Sequence, residues 1–317
     1  MESSMKAQAA LRTAADRGIL RKKLKRMKML YLMLLIPVVH LAIFHYAPMY
    51  GVLIAFKDYR PGLGIWASPW NHFEHFRSML HDFVFLRALR NTFVISLLRL
   101  VFGFSMPIVF ALLLNELRTR FFKRTVQSIS YLPHFLSWVI VASMVVEIVS
   151  PQRGIVNYVV TLFGGEPVNF LSSKLFFVPL LLITDVWKEI GWASIIYLAS
   201  IAAISPELYE AAESDGANRL QKMIYITIPS LIPVITILFL LRLGNILSGG
   251  FDQILNLYNP LVYEVADIID TYVYRVGLLE VRFDYSAAVG LFKNVVGVVL
   301  LVTANQFVRK HSDYGVW

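Results

Sequence analysis

Residues 176–229 read FFVPLLLITDVWKEIGWASIIYLASIAAISPELYEAAESDGANRLQKMIYITIP. The part through Ile204 is apolar for long enough to cross a hydrocarbon core about 30 Å thick, which takes about 20 helical residues. The stretch from Ser205 onward is too polar to enter a bilayer and is written as helix, turn, helix. Ser205-Pro206 is a helix start, a capping oxygen followed by a residue with preset φ and no amide to satisfy. Glu207 sits in the first turn, where the helix dipole favours it. Ala211 and Ala212 have high helix propensity and almost no side chain, so another surface can approach the backbone closely. Asp215-Gly216 breaks the helix with a turn that needs φ > 0. A second amphipathic stretch, with Leu220, Met223 and Ile224, leads to Ile228-Pro229 and the next apolar run. On helix grammar alone this is equally an ordinary structured loop.

Working outward, five further apolar runs match the first. The set is 29–50, 91–115, 126–149, 176–204, 226–248 and 286–308, and each must be helical because lipid offers backbone groups no other partner. The chain is 57% hydrophobic and 16% charged, a composition that points to the bilayer rather than to a soluble domain. Its formal charge of +9 follows the positive-inside pattern, so no nucleic-acid partner is expected. Arg21, Lys22, Lys23, Lys25, Arg26 and Lys28 precede the first run, Arg118, Arg120, Lys123 and Arg124 the third, Arg219 and Lys222 the fifth, and Arg309 and Lys310 come after the last. These flanks lie on one side, which makes both chain ends cytoplasmic. The opposite side holds 51–90, 150–175 and the acidic 249–285; within it, 261–269 is either a re-entrant or a surface piece. Residues 1–28 read as a basic cytoplasmic segment rather than a cleaved signal, 29–308 as one membrane domain with its loop at 205–225, and 309–317 as a tail. The expected fold is all-α, with six membrane spans and a cytoplasmic coupling helix between spans four and five.

Glu210-Ala211-Ala212, Asp215-Gly216-Ala217 and Ile228-Pro229, at this spacing, resemble the EAA coupling motif of ABC importer permeases. In that family the first short helix of the loop sits in a groove of the ATPase subunit, and the resemblance implies a coupling role for Glu207, Glu210, Ala211, Ala212, Asp215 and Gly216. Trp187 to Trp192, Leu198-Ala199 and Ile204 to Pro206 resemble the preceding span of sugar permeases of the maltose-transporter type. FDQILNLYNPLVYEVADIIDTYVYRVGL (251–278), AAVGLFKNVVG (287–297) and Gly315-Val316-Trp317 resemble the polysaccharide-importer branch, including alginate-type importers. The likeness covers roughly 90–310. It implies a bacterial inner-membrane subunit, a second homologous permease, an ATPase dimer that binds ATP and Mg, an extracytoplasmic solute-binding protein and an oligosaccharide cargo. This chain itself has no GxxxxGK[ST] loop, so no cofactor of its own is expected.

Charges inside the spans mark either a pathway or internal pairs. At about 1.5 Å per residue, Arg99 lies roughly 12 Å below the outer face, Asp185, Lys188 and Glu189 roughly 14–20 Å, Arg242 roughly 9 Å and Lys293, beside Asn294, roughly 11 Å. Trp187 and Trp192 lie near the acidic pair, and Asn245 shares a face with Arg242. Aromatic planes beside hydrogen-bonding groups are what a sugar ring needs. Arg99, Lys188, Arg242 and Lys293 outnumber Asp185 and Glu189, so a cavity made by these residues favours an anionic cargo such as a uronate oligosaccharide. Taken singly, each is as well explained by a structural pair, and a neutral oligosaccharide is the alternative cargo. His72, His75 and His81 read as interfacial histidines, with no metal site expected. A secondary transporter is the rival class; it calls for inverted repeats, which the sequence does not display, and for no docking loop.

Overall fold

A computed structural model describes residues 27–244 and 246–311; the basic segment through Arg26, Asn245 and the residues from Ser312 onward lie outside the described residues. Described secondary structure is helical apart from one isolated bridge between Lys57 and Trp70. In chain order the main helices are α1 (Lys28–Phe56), α2 (Glu74–His81), α3 (Phe83–Glu116), α4 (Arg120–Tyr131), α5 (Trp138–Ile148), α6 (Ile155–Leu162), α7 (Phe177–Ala202), α8 (Pro206–Ser214), α9 (Arg219–Gly244), α10 (Phe251–Leu257), α11 (Ile269–Tyr274) and α12 (Phe283–His311).

Four of these, α1, α3, α9 and α12, are long and apolar enough to cross a membrane. With 26 residues, α7 is about 39 Å long, and it carries Asp185, Lys188 and Glu189 in its middle. The expected third span differs. Residues 120–135 and 138–148 meet at 108°, so no continuous helix forms over 126–149. Pro133 draws the end of α4 into a tight turn over Leu132–Phe135, Leu136 is extended, and the Ser137 hydroxyl accepts from the Ile140 amide to restart the chain as α5.

α3 explains how the helices pack. Ala88, Asn91, Thr92, Ile95, Ser96, Arg99, Pro107, Ala111 and Leu114 are buried at helical spacing along one stripe, which lies against α7. Its other face exposes Phe93, Leu97, Val101 and Leu113. Polar groups thus lie inside and large apolar ones outside, as lipid requires. Close approach is set by Gly191 on α7, where a Cβ would overlap the Ser130 carbonyl of α4. One cluster joins Ala111, Tyr197, Ile201 and Leu231. A second joins Ile95, Val141, Leu181 and Ile254 and includes Val262, Ala266 and Ile268, so the stretch whose path was open in the sequence sends these side chains into the core while Leu261 and Glu264 stay exposed.

The end of the bundle that carries α11 is held by hydrogen bonds across distant chain segments. Asn91 Nδ2 donates to the carbonyls of Glu264 and Asp267, and the Ile269 amide donates to Thr92 Oγ1. Fully buried Asp267 takes two bonds from Arg275, at 2.6 and 3.2 Å. Asp82, which caps α3 by accepting from the Val84 amide, also receives the hydroxyls of Tyr272 and Tyr285. Burial, Asp82 and Tyr285 push the Tyr272 hydroxyl far up, so it stays a donor.

Candidate functional site

The polar residues of α3, α5, α7 and the end of α9 meet at a cavity of about 260 Å³. Ser96 and Arg99 come from α3, Trp138 from the start of α5, Asp185 and Glu189 from α7, and Arg242 from α9. Gly249 and Gly250 close it from the segment that precedes α10. Helical spacing explains the α7 contribution, since Asp185 and Glu189 are four residues apart and share a face.

Arg99 is buried, 3.9 Å from Asp185, and also bonds the side chain of Gln253. It is a paired core arginine. Glu189 accepts from His134 at 2.8 Å and lies 3.2 Å from Lys188. Lys188 spends a second donor on the His134 carbonyl at 2.8 Å and rests over the Trp138 ring at 5.4 Å. Among the described residues, Arg242 lines the cavity with no carboxylate within ion-pair reach. Gly103 leaves room at this point, because a Cβ there would contact both Asp185 and Arg242, at 3.4 and 3.7 Å.

Several expected residues fall elsewhere. Trp187 is two positions from Asp185, about 200° around the helix, and lines an apolar outward groove with Leu98, Phe102 and Met106. Trp192 lies on the acidic side but about two turns deeper, stacked on His134 at 4.6 Å. Lys293 is turned to Asp270 of α11, and Asn294 is exposed. Asn245 is outside the described residues. The expected excess of four cations over two acids is therefore corrected. Arg99, Arg242 and the adjacent Lys188 stand against Asp185 and Glu189, an excess of one.

Trp138, not Trp187, is the tryptophan that lines the cavity. It was missed because the break before α5, which brings its ring inward, has only Pro133 and Ser137 as signals. Gln253 and His134 carry no pattern that singles them out; each is found only through its partners.

At the other end of α7 the chain turns by 68° into α8. The loop has the expected form, with Gly216 at φ +79° and Asn218 capping the next turn reciprocally with Gln221. Ser205 occupies the capping position, but its side chain makes no capping bond. Glu207, Leu208, Glu210 and Ala211 are exposed, while Tyr209 and Ala212 face the protein half-buried. The Tyr209 hydroxyl lies 2.9 Å from Thr227 Oγ1, and Glu213 and Lys222 pair at 3.2 Å.

Residues 100–312 match the family described as binding-protein-dependent transport system inner membrane component. The polygalacturonan/rhamnogalacturonan transport system permease protein YteP of Bacillus subtilis (strain 168) is 43% identical over 321 residues, covering 99% of this chain and 100% of the relative. A chain in the crystal structure of a bacterial ABC transporter involved in the import of the acidic polysaccharide alginate is 44% identical, with a TM-score of 0.86 over 92% of this chain and 98% of that one. In the alginate transporter complexed with its alginate pentasaccharide-bound periplasmic protein, a chain is 43% identical with a TM-score of 0.87, covering 93% and 99%. This chain therefore belongs to the multi-pass inner-membrane permeases of binding-protein-dependent, carbohydrate-uptake ABC systems.

Proposed function

We propose that this permease is one half of an importer that moves acidic oligosaccharides, uronate chains of the polygalacturonate or alginate kind, from a solute-binding protein to the cytoplasm. The observation that carries this reading is Arg242, a cavity cation without an acidic partner among the described residues. A uronate offers that guanidinium a carboxylate to grip and offers Trp138 a C–H face to stack on. The relatives support the same cargo class, because one is named for polygalacturonan and rhamnogalacturonan and the other imports alginate, all acidic polymers.

In this reading a second, homologous permease completes the pathway, and two ATPase copies bind ATP and Mg; this chain hydrolyses nothing. α8 stands on the cytoplasmic face, as do both chain ends, and offers Glu207, Glu210 and Ala211 to the ATPase groove. Binding-protein docking outside and ATP-driven closure inside then shift the paired permeases between outward-open and inward-open states. Cargo passes along their interface.

The test is ATPase stimulation of the reconstituted complex by binding protein loaded with uronate oligosaccharides or with their carboxyl-reduced, neutral counterparts. Stronger stimulation by the uronates is expected. Equal stimulation would turn the cargo assignment to neutral oligosaccharides, whose hydroxyls Asp185 and Glu189 are equally able to accept.

A further inference from the structure

Gln253 is fully buried on α10 and has every polar atom assigned. Its Nε2 donates to the Leu181 carbonyl at 2.8 Å and to Thr184 Oγ1 at 2.7 Å. The Thr184 hydroxyl is in turn spent on the Leu180 carbonyl at 2.7 Å, so it meets Gln253 only as an acceptor. These bonds fix the amide orientation and leave Oε1 aimed at Arg99, whose Nη2 it accepts. A flipped amide would set donor against donor at Arg99 and acceptor against acceptor at the Leu181 carbonyl.

The other side of the guanidinium lies on bare backbone. Gly250 has φ +99°, and a Cβ there would overlap the Arg99 guanidinium. A Cβ on Gly249 would stand 3.6 Å from Nη1. Position 250 is thus glycine for two reasons, its left-handed conformation and the space the arginine fills. Within this cradle Arg99 keeps donors in reserve: Nε is buried without a partner, and Asp185 stands at 3.9 Å, beyond close hydrogen-bonding distance.

The chemistry of the cradle explains why the acceptor is an amide. A carboxylate at 253 would give the guanidinium a second negative partner beside Asp185, whereas glutamine orients it and adds no charge to that of the 3.9 Å pair. We propose that Gln253, with Gly250, is a specificity-determining positioning residue, holding Arg99 charged at the cavity so that it recognises the carboxylate of a passing uronate. This inference rests on the acidic-cargo reading above.

The test is Gln253→Glu, assayed in the complete reconstituted transporter. Uptake of an oligogalacturonate is compared with that of the same oligomer after carboxyl reduction, and assembled complex is quantified for each variant. The expected result is a fall of about tenfold in the uronate-to-reduced uptake ratio, the scale of one charge-assisted contact. Thr184→Val frees one amide bond of Gln253 without touching Arg99 and is the milder variant if Gln253→Glu fails to assemble; a shift of about twofold to fivefold in the same direction is expected from the loss of one hydrogen bond. A ratio unchanged in the assembled variants, or an equal loss for both cargoes, would overturn the proposal and leave Gln253 a structural staple. A wild-type complex that takes both cargoes equally would instead contradict the acidic-cargo reading itself.

Discussion

The hydroxyl of Tyr209, on the exposed helix α8, lies 2.9 Å from Oγ1 of Thr227, a buried residue at the base of α9. Thr227 ends a π-helical turn over Met223–Thr227, a rare geometry that is frequent at functional sites. In the proposed coupling, a push on α8 would reach α9 through this side-chain bond as well as through the intervening loop. Tyr209→Phe, which deletes only that hydroxyl, is expected to lower cargo-stimulated ATP hydrolysis and uptake severalfold, on the scale of about 1 kcal/mol for one hydrogen bond. Uptake and stimulation in proteoliposomes, with quantified assembly, check it; wild-type coupling would remove Tyr209 from the transmission route.

Gly216 tests the loop by its backbone rather than by its volume. It sits at φ +79° with open space around a prospective Cβ, so a larger residue meets conformational strain but no clash. Gly216→Val is expected to abolish uptake and stimulated ATP hydrolysis while leaving membrane insertion normal, because a β-branched residue is strongly disfavoured at positive φ. Gly216→Asn, which tolerates that region better, should retain more activity. Equal activity of the Val variant and wild type would refute the docking assignment.

Arg242 and Lys293 were equivalent charges in the sequence, and the structure separates them. Arg242→Glu is expected to reduce uptake of uronate oligomers about tenfold or more relative to carboxyl-reduced ones, since a like charge replaces a complementary one. Lys293 pairs with Asp270, so Lys293→Glu should lower the thermal stability of the solubilised complex with no change in cargo preference. Paired uptake assays and melting curves distinguish the two outcomes.

Asp82 gives a pH prediction. Burial acts to raise its pKa, but bonds from the Tyr272 hydroxyl, the Val84 and Phe85 amides and the Tyr285 hydroxyl outweigh it and hold the carboxyl below its usual 3.8. A depressed native pKa means that the unfolded state binds the proton more readily. The stabilisation is therefore complete above the unfolded value and is lost as pH falls from about 4 through the lower native value. The difference in Tm between wild type and Asp82→Asn should shrink on acidification through that window. A difference that stays constant would show that Asp82 contributes no linked proton.

Much of this was legible because hydrophobic runs and loop grammar are local. The apolar stretches become helices, and the glycine turn at 216 and the helix from Pro206 form where the residues call for them. Direction around a helix axis was harder. Depth placed Lys293 level with Arg99, but only packing turns Lys293 toward Asp270 and Trp187 toward the outer groove. The 108° break between α4 and α5 depends on tertiary fit as much as on Pro133 and Ser137, and it is what brings Trp138 inward. Gln253 became visible only when Leu181, Thr184 and Arg99, remote in the chain, were seen converging on its amide.

The most direct test of the account uses the absence of native cysteine in this chain. Ala211→Cys places a single thiol on the exposed face of α8, where it can be labelled and cross-linked in intact and inverted membrane vesicles. The account predicts labelling from the cytoplasmic side only, and a cross-link to the ATPase subunit that changes in yield with nucleotide. Labelling from the outer side, or a thiol on that face that never reaches another subunit in the assembled transporter, would contradict it.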